Sequence, residues 1–155
     1  MFRELRRKDK QLPAEEAADI LRNGLYAVLA LNGDDAYPYA VPVNYVYDGG
    51  KVYFHSATAG HKLDAIAKNG KTSLCVVEKA DLSPATFNCF FRSVIVFGTA
   101  RILDDDEEKR KALELLIKKY SPDYIDKGGK YIDAHWVKAL VVEIDIEHIT
   151  GKAAG

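Results

Sequence analysis

The residues best suited to chemistry in this sequence lie in a turn between a strand-like and a helix-like segment. Residues 51–55 alternate in polarity, residues 56–60 are small, and His61 and Lys62 open an amphipathic segment. Unpaired backbone N–H groups at a helix N-terminus can bind a phosphate together with a lysine. The hydroxyl of Ser56 would add a donor. We therefore predict an anion site at this turn.

A purely structural interpretation of the same turn is the alternative. Serine and threonine before a helix most often cap its free N–H groups, and a lysine in the first turn is usually a solvated surface residue. The Gly-x-x-x-x-Gly-Lys-Ser/Thr pattern of a Walker loop is absent from the sequence. The turn thus predicts either anion binding or ordinary helix capping.

Other catalytic and metal-binding patterns are missing from the sequence. It has no Gly-x-Ser-x-Gly elbow, no Cys-x-x-Cys pair and no Gly-x-Gly-x-x-Gly fingerprint. The four histidines are irregularly spaced, so we predict no metal site. Cys75 and Cys89 lie in apolar, strand-like segments with no signal peptide ahead of them, which indicates buried free thiols in a reducing cytoplasm.

Composition indicates a single folded domain over residues 1–155, beginning with a basic arm at residues 1–12. Hydrophobic residues make up 48% of the chain, enough for a core. The formal net charge of −1 gives no support for a nucleic-acid partner or an acidic membrane surface. No apolar run approaches the roughly 18 residues of a membrane helix. We therefore expect a cytoplasmic protein.

Helical periodicity predicts three helices, at residues 13–23, 60–68 and 104–119. The third is the most strongly patterned, because its acidic start and its basic end at Lys118 and Lys119 complement the helix dipole. Residues 121–136 are predicted to form an irregular connection.

Six strands are predicted around these helices, at residues 25–32, 36–48, 51–55, 72–79, 88–103 and 138–149. Pro38 and Pro42 cannot donate to a sheet ladder, so the second strand should be an edge strand or bulged. Six strands connected mainly as antiparallel hairpins suggest a barrel, since closing the sheet removes its exposed edges. The predicted fold is mainly β with flanking helices, a six-stranded antiparallel barrel.

Aromatic residues are frequent in the predicted strands, which is ordinary for β structure and consistent with simple packing. Beside a phosphate-binding turn, they would also suit a planar phosphorylated heterocycle, such as flavin mononucleotide (FMN) or pyridoxal phosphate. Pyridoxal catalysis needs a Schiff-base lysine, and Lys62 is better placed for the phosphate. This argues against pyridoxal catalysis and leaves the heterocycle itself open at this point.

Three segments carry a family resemblance: YPYAVPVNYVYDGGKVYFHSATAGHKLDAI, FRSVIVFGTARI and EIDIEHITGK. Together they resemble the flavin-binding split-barrel superfamily that includes pyridoxamine 5′-phosphate oxidase, and within it the Nim-type 5-nitroimidazole resistance proteins. The resemblance covers residues 3–152. It implies an FMN-binding split barrel and a homodimer with FMN at the subunit interface.

The resemblance also implies roles for individual residues. Those expected along the flavin ring are Val43, Asn44 and Tyr45. Those expected around the ribityl chain and phosphate are His55, Ser56, His61 and Lys62. Those expected to approach from the partner subunit are Arg92, Ser93 and Val94, with Trp136. His55 is alternatively a catalytic histidine on the substrate side of the flavin.

The implied function is an FMN-dependent reductase that passes electrons from a small-molecule donor to a small planar acceptor such as a nitroimidazole. The oxidase's Arg-x-His element near the C-terminus is absent, so pyridoxamine phosphate oxidation is not expected. One alternative is a non-catalytic protein that stores flavin or haem, with His55 or His135 as an axial haem ligand. Another is a structural dimer that has lost its ligand.

Overall fold

The computed structural model describes residues 1–154. Its strands are β1 (Ala27–Asn32), β2 (Pro38–Val43), β3 (Val46–Asp48), β4 (Lys51–Ser56), β5 (Lys71–Ser83), β6 (Asn88–Ile102) and β7 (Leu140–Ala154). Its helices are α1 (Ala14–Asn23), α2 (His61–Lys68), α3 (Asp106–Tyr120) and α4 (Ile125–His135). A short 3-10 turn, Trp136–Lys138, follows α4.

The strands form one antiparallel sheet in the order β2-β1-β5-β6-β7-β4-β3. The predicted six-stranded closed barrel is therefore wrong in two respects, because the sheet has seven strands and is open, ending in β2 and β3. The extra strand arises where the predicted strand 36–48 breaks at Asn44 and Tyr45. The predicted edge position of the proline-containing strand is confirmed, since β2 lies at the edge.

Residues 121–136 were predicted to be irregular, and this prediction is wrong because they contain α4. The helix forms although Gly128 and Gly129 lower its intrinsic propensity. Gly128 is buried, and a Cβ there would lie 2.5 Å from Cγ2 of Ile117. Close packing of α4 on α3 thus explains both the glycine and the helix.

The core lies between the inner face of the sheet and the helices α1 and α2. Alternate residues of β1, β4, β6 and β7 point into it, as period-two strands require. The largest fully buried side chains include Tyr45, Phe54, Ile20, Leu21 and Leu29. A second, smaller cluster of Leu103, Ala112 and Val141 joins α3 to the sheet.

The β5–β6 hairpin is longer than predicted, because β5 continues to Ser83 and leaves only a short turn before β6. Cys75 is half-buried on β5, and Cys89 is exposed on this hairpin. The prediction that both thiols are buried is therefore wrong for Cys89, which lies where β6 pairs only with β5.

No helix within residues 1–154 is long and apolar enough to cross a membrane. Over the same span, no group of three or more histidine, cysteine, aspartate or glutamate side chains is placed to hold a metal ion.

Candidate functional site

A cavity of about 510 Å³ lies between the end of β4 and the helices α3 and α4. Its apolar wall consists of Leu113, Leu116, Ile117 and Ile132. Its polar groups come from Asn44, His55, Ser56, Tyr120, Ser121, Tyr131, His135 and Lys138. Volumes of this size accept small organic ligands. The cavity brings together three of the predicted site residues, Asn44, His55 and Ser56.

The wall at Asn44 is held in place by a polar network behind it. The side-chain amide of Asn44 donates to the carbonyl oxygen of Leu25 at 2.9 Å. The backbone N–H of Tyr45 donates to the hydroxyl of Tyr120 at 3.0 Å, and that hydroxyl lies 2.7 Å from the Leu25 oxygen. These bonds fix the break between β2 and β3 against α3 and the start of β1, so Asn44 has a defined position.

Lys119 adds a positive charge to this network. Its Nζ lies 2.6 Å from the carbonyl oxygen of Gly24 and 2.9 Å from that of Tyr45. The same nitrogen lies 4.0 Å from the centroid of the Tyr45 ring, a cation–π distance. Burial lowers the pKa of the Lys119 ammonium to about 8.

Replacing Lys119 with methionine should change how stability depends on pH. The unfolded chain holds this proton up to the ordinary pKa of 10.5, whereas the folded chain releases it near 8. The unfolded state therefore binds more protons in this window, and the free energy of unfolding rises with pH across it. Relative to Lys119→Met, the wild type should gain about 1 to 2 kcal/mol between pH 7.5 and 10, less than the full shift implies because the side chain is partly solvated.

Urea denaturation of both proteins at the two pH values measures this difference, and titrations common to both cancel. Parallel changes in the two proteins would show that Lys119 keeps its proton across the window.

The turn before α2 has free backbone donors. The helix begins after Gly60, whose φ of +145° favours glycine and which offers no side-chain cap. The capping interpretation of Ser56 is therefore not supported. The first N–H groups of α2 lack intrahelical acceptors, as at any helix start. These donors come directly after the turn that begins at Ser56.

Lys62, in the first turn of α2, is half-buried. The nearby carboxylate of Asp34 lies 3.3 Å from Nζ of Lys68 and 3.9 Å from Nε2 of His61. Lys62 has no salt bridge in the part of the chain that the structure describes. An unpaired, half-buried ammonium beside free N–H groups is a suitable place for an anion.

His61 contacts β2 and the turn that precedes it. Its ring stacks on that of Tyr39 with centroids 4.0 Å apart, next to Asp34. His61 therefore does not line the cavity that Ser56 lines. Its predicted phosphate contact stays a prediction.

The residues predicted to approach from a partner lie elsewhere in the single chain. Arg92 binds Glu78 through Nε at 2.7 Å and Glu16 through Nη1 at 3.3 Å. Ser93 lies on β6 opposite Val77. Val94 is fully buried in the core. None of the three lines the cavity, and their predicted roles depend on a second subunit.

Three further predicted residues have mainly packing contacts in this chain. Val43 and Tyr45 are buried, and the Tyr45 hydroxyl donates to the carbonyl of Leu21. The ring of Trp136 lies under Nζ of Lys109 at 4.2 Å. None of the three lines the cavity, and their predicted roles stay predictions.

Sequence reasoning named His135 only as an alternative haem ligand and missed the rest of the helical side of the cavity. His135 Nδ1 lies 3.0 Å from the carbonyl oxygen of Tyr131, and because a carbonyl only accepts, Nδ1 carries the hydrogen. The two rings stack with centroids 4.1 Å apart. Nε2 of His135 is thus free of that bond. The i, i+4 spacing of Tyr131 and His135 beside Ile132 was the available signal, but it becomes informative only once α4 is predicted as a helix.

The structure is that of a small antiparallel β protein with a cavity between its sheet and a helical pair. Residues 13–153 match the family model described as pyridoxamine 5′-phosphate oxidase. The uncharacterized protein RA0666 of Rhizobium meliloti (strain 1021) is 30% identical over 148 residues, covering 90% of this chain and 91% of the relative. The chain belongs to the pyridoxamine 5′-phosphate oxidase family, which confirms the family predicted from its motifs.

Solved structures show the same fold. One is a candidate 5-nitroimidazole antibiotic resistance protein from Bacteroides thetaiotaomicron, with a TM-score of 0.75 and 21% identity over 92% of this chain and 86% of the other. Another is an FAD- and haem-binding protein from Mycobacterium smegmatis, with a TM-score of 0.81 and 22% identity over 94% of this chain and 73% of the other. Both likenesses support the antiparallel architecture with flanking helices.

Proposed function

We propose that the protein binds FMN, with the phosphate at the start of α2 and the ring beside Asn44. The free N–H groups of α2 and the unpaired ammonium of Lys62 would hold the phosphate. Ser56 lies between that turn and the cavity, where its hydroxyl can bind the ribityl chain. Asn44 is fixed by its bond to Leu25 and can meet the polar edge of the ring. The residues present therefore fit this cofactor.

The activity that this site supports best is reduction of small planar acceptors, including nitroimidazoles. Bound FMN would supply electron and hydride transfer, which the protein side chains cannot. The observation that carries the proposal is that Asn44, His55 and Ser56 line one cavity, which leaves room for an acceptor beside them. His55 is exposed to this volume and can give a proton to the acceptor. The relative from Bacteroides supports nitroimidazole as the acceptor to test first.

The test is anaerobic turnover of a 5-nitroimidazole by the FMN-loaded protein, with NADH or NADPH as the donor. We expect loss of the nitro absorbance and a slower reaction for His55→Gln at unchanged flavin content. Mass spectrometry of the co-purified cofactor distinguishes FMN from FAD. A flavin-loaded protein that reduces no nitro compound with any of these donors would overturn the activity.

We also propose that the protein is a homodimer that shares its site between subunits. The outer face of the sheet carries a row of Val28, Cys75 and Ile95 at paired positions on β1, β5 and β6. Val28 and Ile95 are 38% and 40% exposed, and Val77 is 54% exposed. Contiguous exposed apolar residues are typical of association surfaces. Ser93 lies on this face two residues from Ile95, which supports its predicted approach to the partner's flavin.

Ile95→Glu should therefore convert the protein to a monomer, because a carboxylate would be buried in the interface without a partner. Analytical ultracentrifugation measures the mass, and the absorbance ratio of flavin to protein measures the cofactor content, which should fall with the dimer. Ile125→Glu is the matched control, since Ile125 is 50% exposed at the start of α4. A dimeric Ile95→Glu protein, or a monomer that keeps its flavin, would contradict the shared site.

Haem binding is a second candidate, favoured by His135. Its Nδ1–H is bound to the Tyr131 carbonyl, which fixes the tautomer and leaves Nε2 with a lone pair. The relative from Mycobacterium smegmatis is named for binding both FAD and haem. Titration with haemin separates the candidates, because a Soret band lost in His135→Ala but kept in His148→Ala would establish His135 as an axial ligand.

A further inference from the structure

We propose that the cavity takes a planar aromatic acceptor that carries a negative charge, such as an aromatic carboxylate, in preference to a neutral or cationic one. This inference rests on the proposed function, in that the cavity is the acceptor site beside the flavin. It names the class of substrate that the site selects.

The charge of the cavity is the first argument. Among its described lining residues there is no aspartate or glutamate. The basic groups in the lining are the ammonium of Lys138 and the imidazoles of His55 and His135. Asp133 of α4 is turned away and forms an ion pair with Arg110 of α3. A ligand in this cavity therefore meets basic groups without a nearby carboxylate to compensate them.

Two more lysines, which lie outside the cavity lining, have no carboxylate partner within residues 1–154. Lys109 is buried, and its Nζ donates to the carbonyl oxygen of Trp136 at 2.7 Å. Lys119 is bound to the carbonyl oxygens of Gly24 and Tyr45, behind Tyr120. Uncompensated charges under a low-dielectric wall focus a positive potential into a cleft. The chain as a whole has a net charge of −1, so this potential is local to the cavity.

The shape and lining indicate a flat ring. One wall is formed by aliphatic side chains of α3 and α4, and the stacked rings of Tyr131 and His135 stand beside it. Aromatic ligands gain from stacking and from burial against such a wall. Lys138 lies in the 3-10 turn after α4, three residues beyond His135, and both residues line the cavity. A carboxylate on the ring can therefore accept a hydrogen bond from the Lys138 ammonium.

The test compares three ligands of one shape, 4-nitrobenzoate, 4-nitrobenzyl alcohol and 4-nitrobenzylamine, which is a cation at pH 7. Their affinities for the flavin-loaded protein are measured by calorimetry without an electron donor, so that no turnover is needed. We expect the benzoate to bind at least about tenfold more tightly than the amine, with the alcohol between them, and we expect added salt to reduce the difference. Equal affinities, or a preference for the amine, would overturn the proposal.

Variants locate the effect in the cavity. Lys138→Gln should weaken benzoate binding about 3- to 10-fold and leave alcohol binding unchanged, whereas Lys130→Gln, an exposed lysine of α4 outside the cavity, should change neither. Tyr131→Ala should weaken all three ligands, since it removes the stacking ring. An unchanged benzoate affinity in Lys138→Gln, or unchanged binding in Tyr131→Ala, would also overturn it.

The outcome is independent of the proposed activity. A protein that carries no flavin but still discriminates between the three ligands would reject the reductase and leave the charge preference standing. A flavin-loaded protein that reduces nitroimidazoles without such discrimination would support the reductase and overturn the charge preference.

Discussion

Replacing Glu143 with alanine should lower the free energy of unfolding by about 2 to 4 kcal/mol, because Lys51 and Arg101 then lose a buried carboxylate partner. Glu143 lies on β7 and is only 3% exposed. Its Oε1 is 3.0 Å from both Nζ of Lys51 and Nε of Arg101, and Arg101 continues to Glu108 at 2.9 Å. One carboxylate thus joins β4, β6, β7 and the start of α3. The loss of stability should not be larger than this, because the side chains of Lys51 and Arg101 are exposed enough to be hydrated once the carboxylate is removed.

Glu147→Ala is the matched control, four residues along the same strand. Its carboxylate pairs with Lys71 at 2.8 Å, and the lysine is well exposed, so the loss should stay under about 1 kcal/mol. Denaturant unfolding of the three proteins measures both values. Equal losses at the two positions would show that burial does not set the strength of the Glu143 network.

The Glu143 contribution should also disappear in acid. Burial works to raise the pKa of Glu143, but hydrogen bonds from Lys51 and Arg101 outweigh it and hold the pKa below its ordinary value of 4.5. A lowered folded pKa gives stability that is complete above 4.5 and is lost as the pH falls through the folded value. The difference between wild type and Glu143→Ala should therefore shrink below pH 4.5. A difference that persists at pH 2 would mean that packing, and not charge, explains the loss.

Some elements could be predicted from the residues of their own segment alone. The acidic start and basic end of α3 predicted a helix, and the Asp105 side chain accepts from the N–H of Glu108 as an N-cap should. Pro38 and Pro42 correctly predicted an edge strand. In these cases, the chemistry of one segment decides its conformation without help from the rest of the chain.

The failures have tertiary causes. The break at Asn44 and Tyr45 follows from a hydrogen bond to Tyr120, which is 75 residues away in sequence. The helix α4 depends on the contact between Gly128 and Ile117, whereas its own glycines argue against it. Because α4 was missed, the cavity was missed with it, and Tyr131 and His135 could not be placed beside His55. The family resemblance, and not a local pattern, assigned Asn44, His55 and Ser56 to one site, and the cavity brings the three together.

Replacing Lys62 with glutamine should weaken FMN binding about 10- to 100-fold, because one charge-assisted contact to a phosphate contributes about 1.5 to 3 kcal/mol. The lysine is half-buried in the first turn of α2, beside N–H groups that neither Ser56 nor Gly60 caps. Glutamine keeps much of the stem, so packing is largely retained. Titration of the flavin-free protein, followed by quenching of flavin fluorescence, measures the affinity.

Riboflavin and Lys68→Gln isolate the phosphate contact. Riboflavin has the same ring and ribityl chain without the phosphate, so its affinity should be the same in wild type and Lys62→Gln. Lys68 is on the same helix but is already paired with Asp34, so Lys68→Gln should leave FMN binding unchanged. If Lys62→Gln weakened riboflavin as much as FMN, the lysine would support the ring or the fold. If it weakened neither, the charge at the start of α2 would be a surface charge, and the phosphate would have to be bound elsewhere, with Arg92 of a second subunit as the next residue to replace.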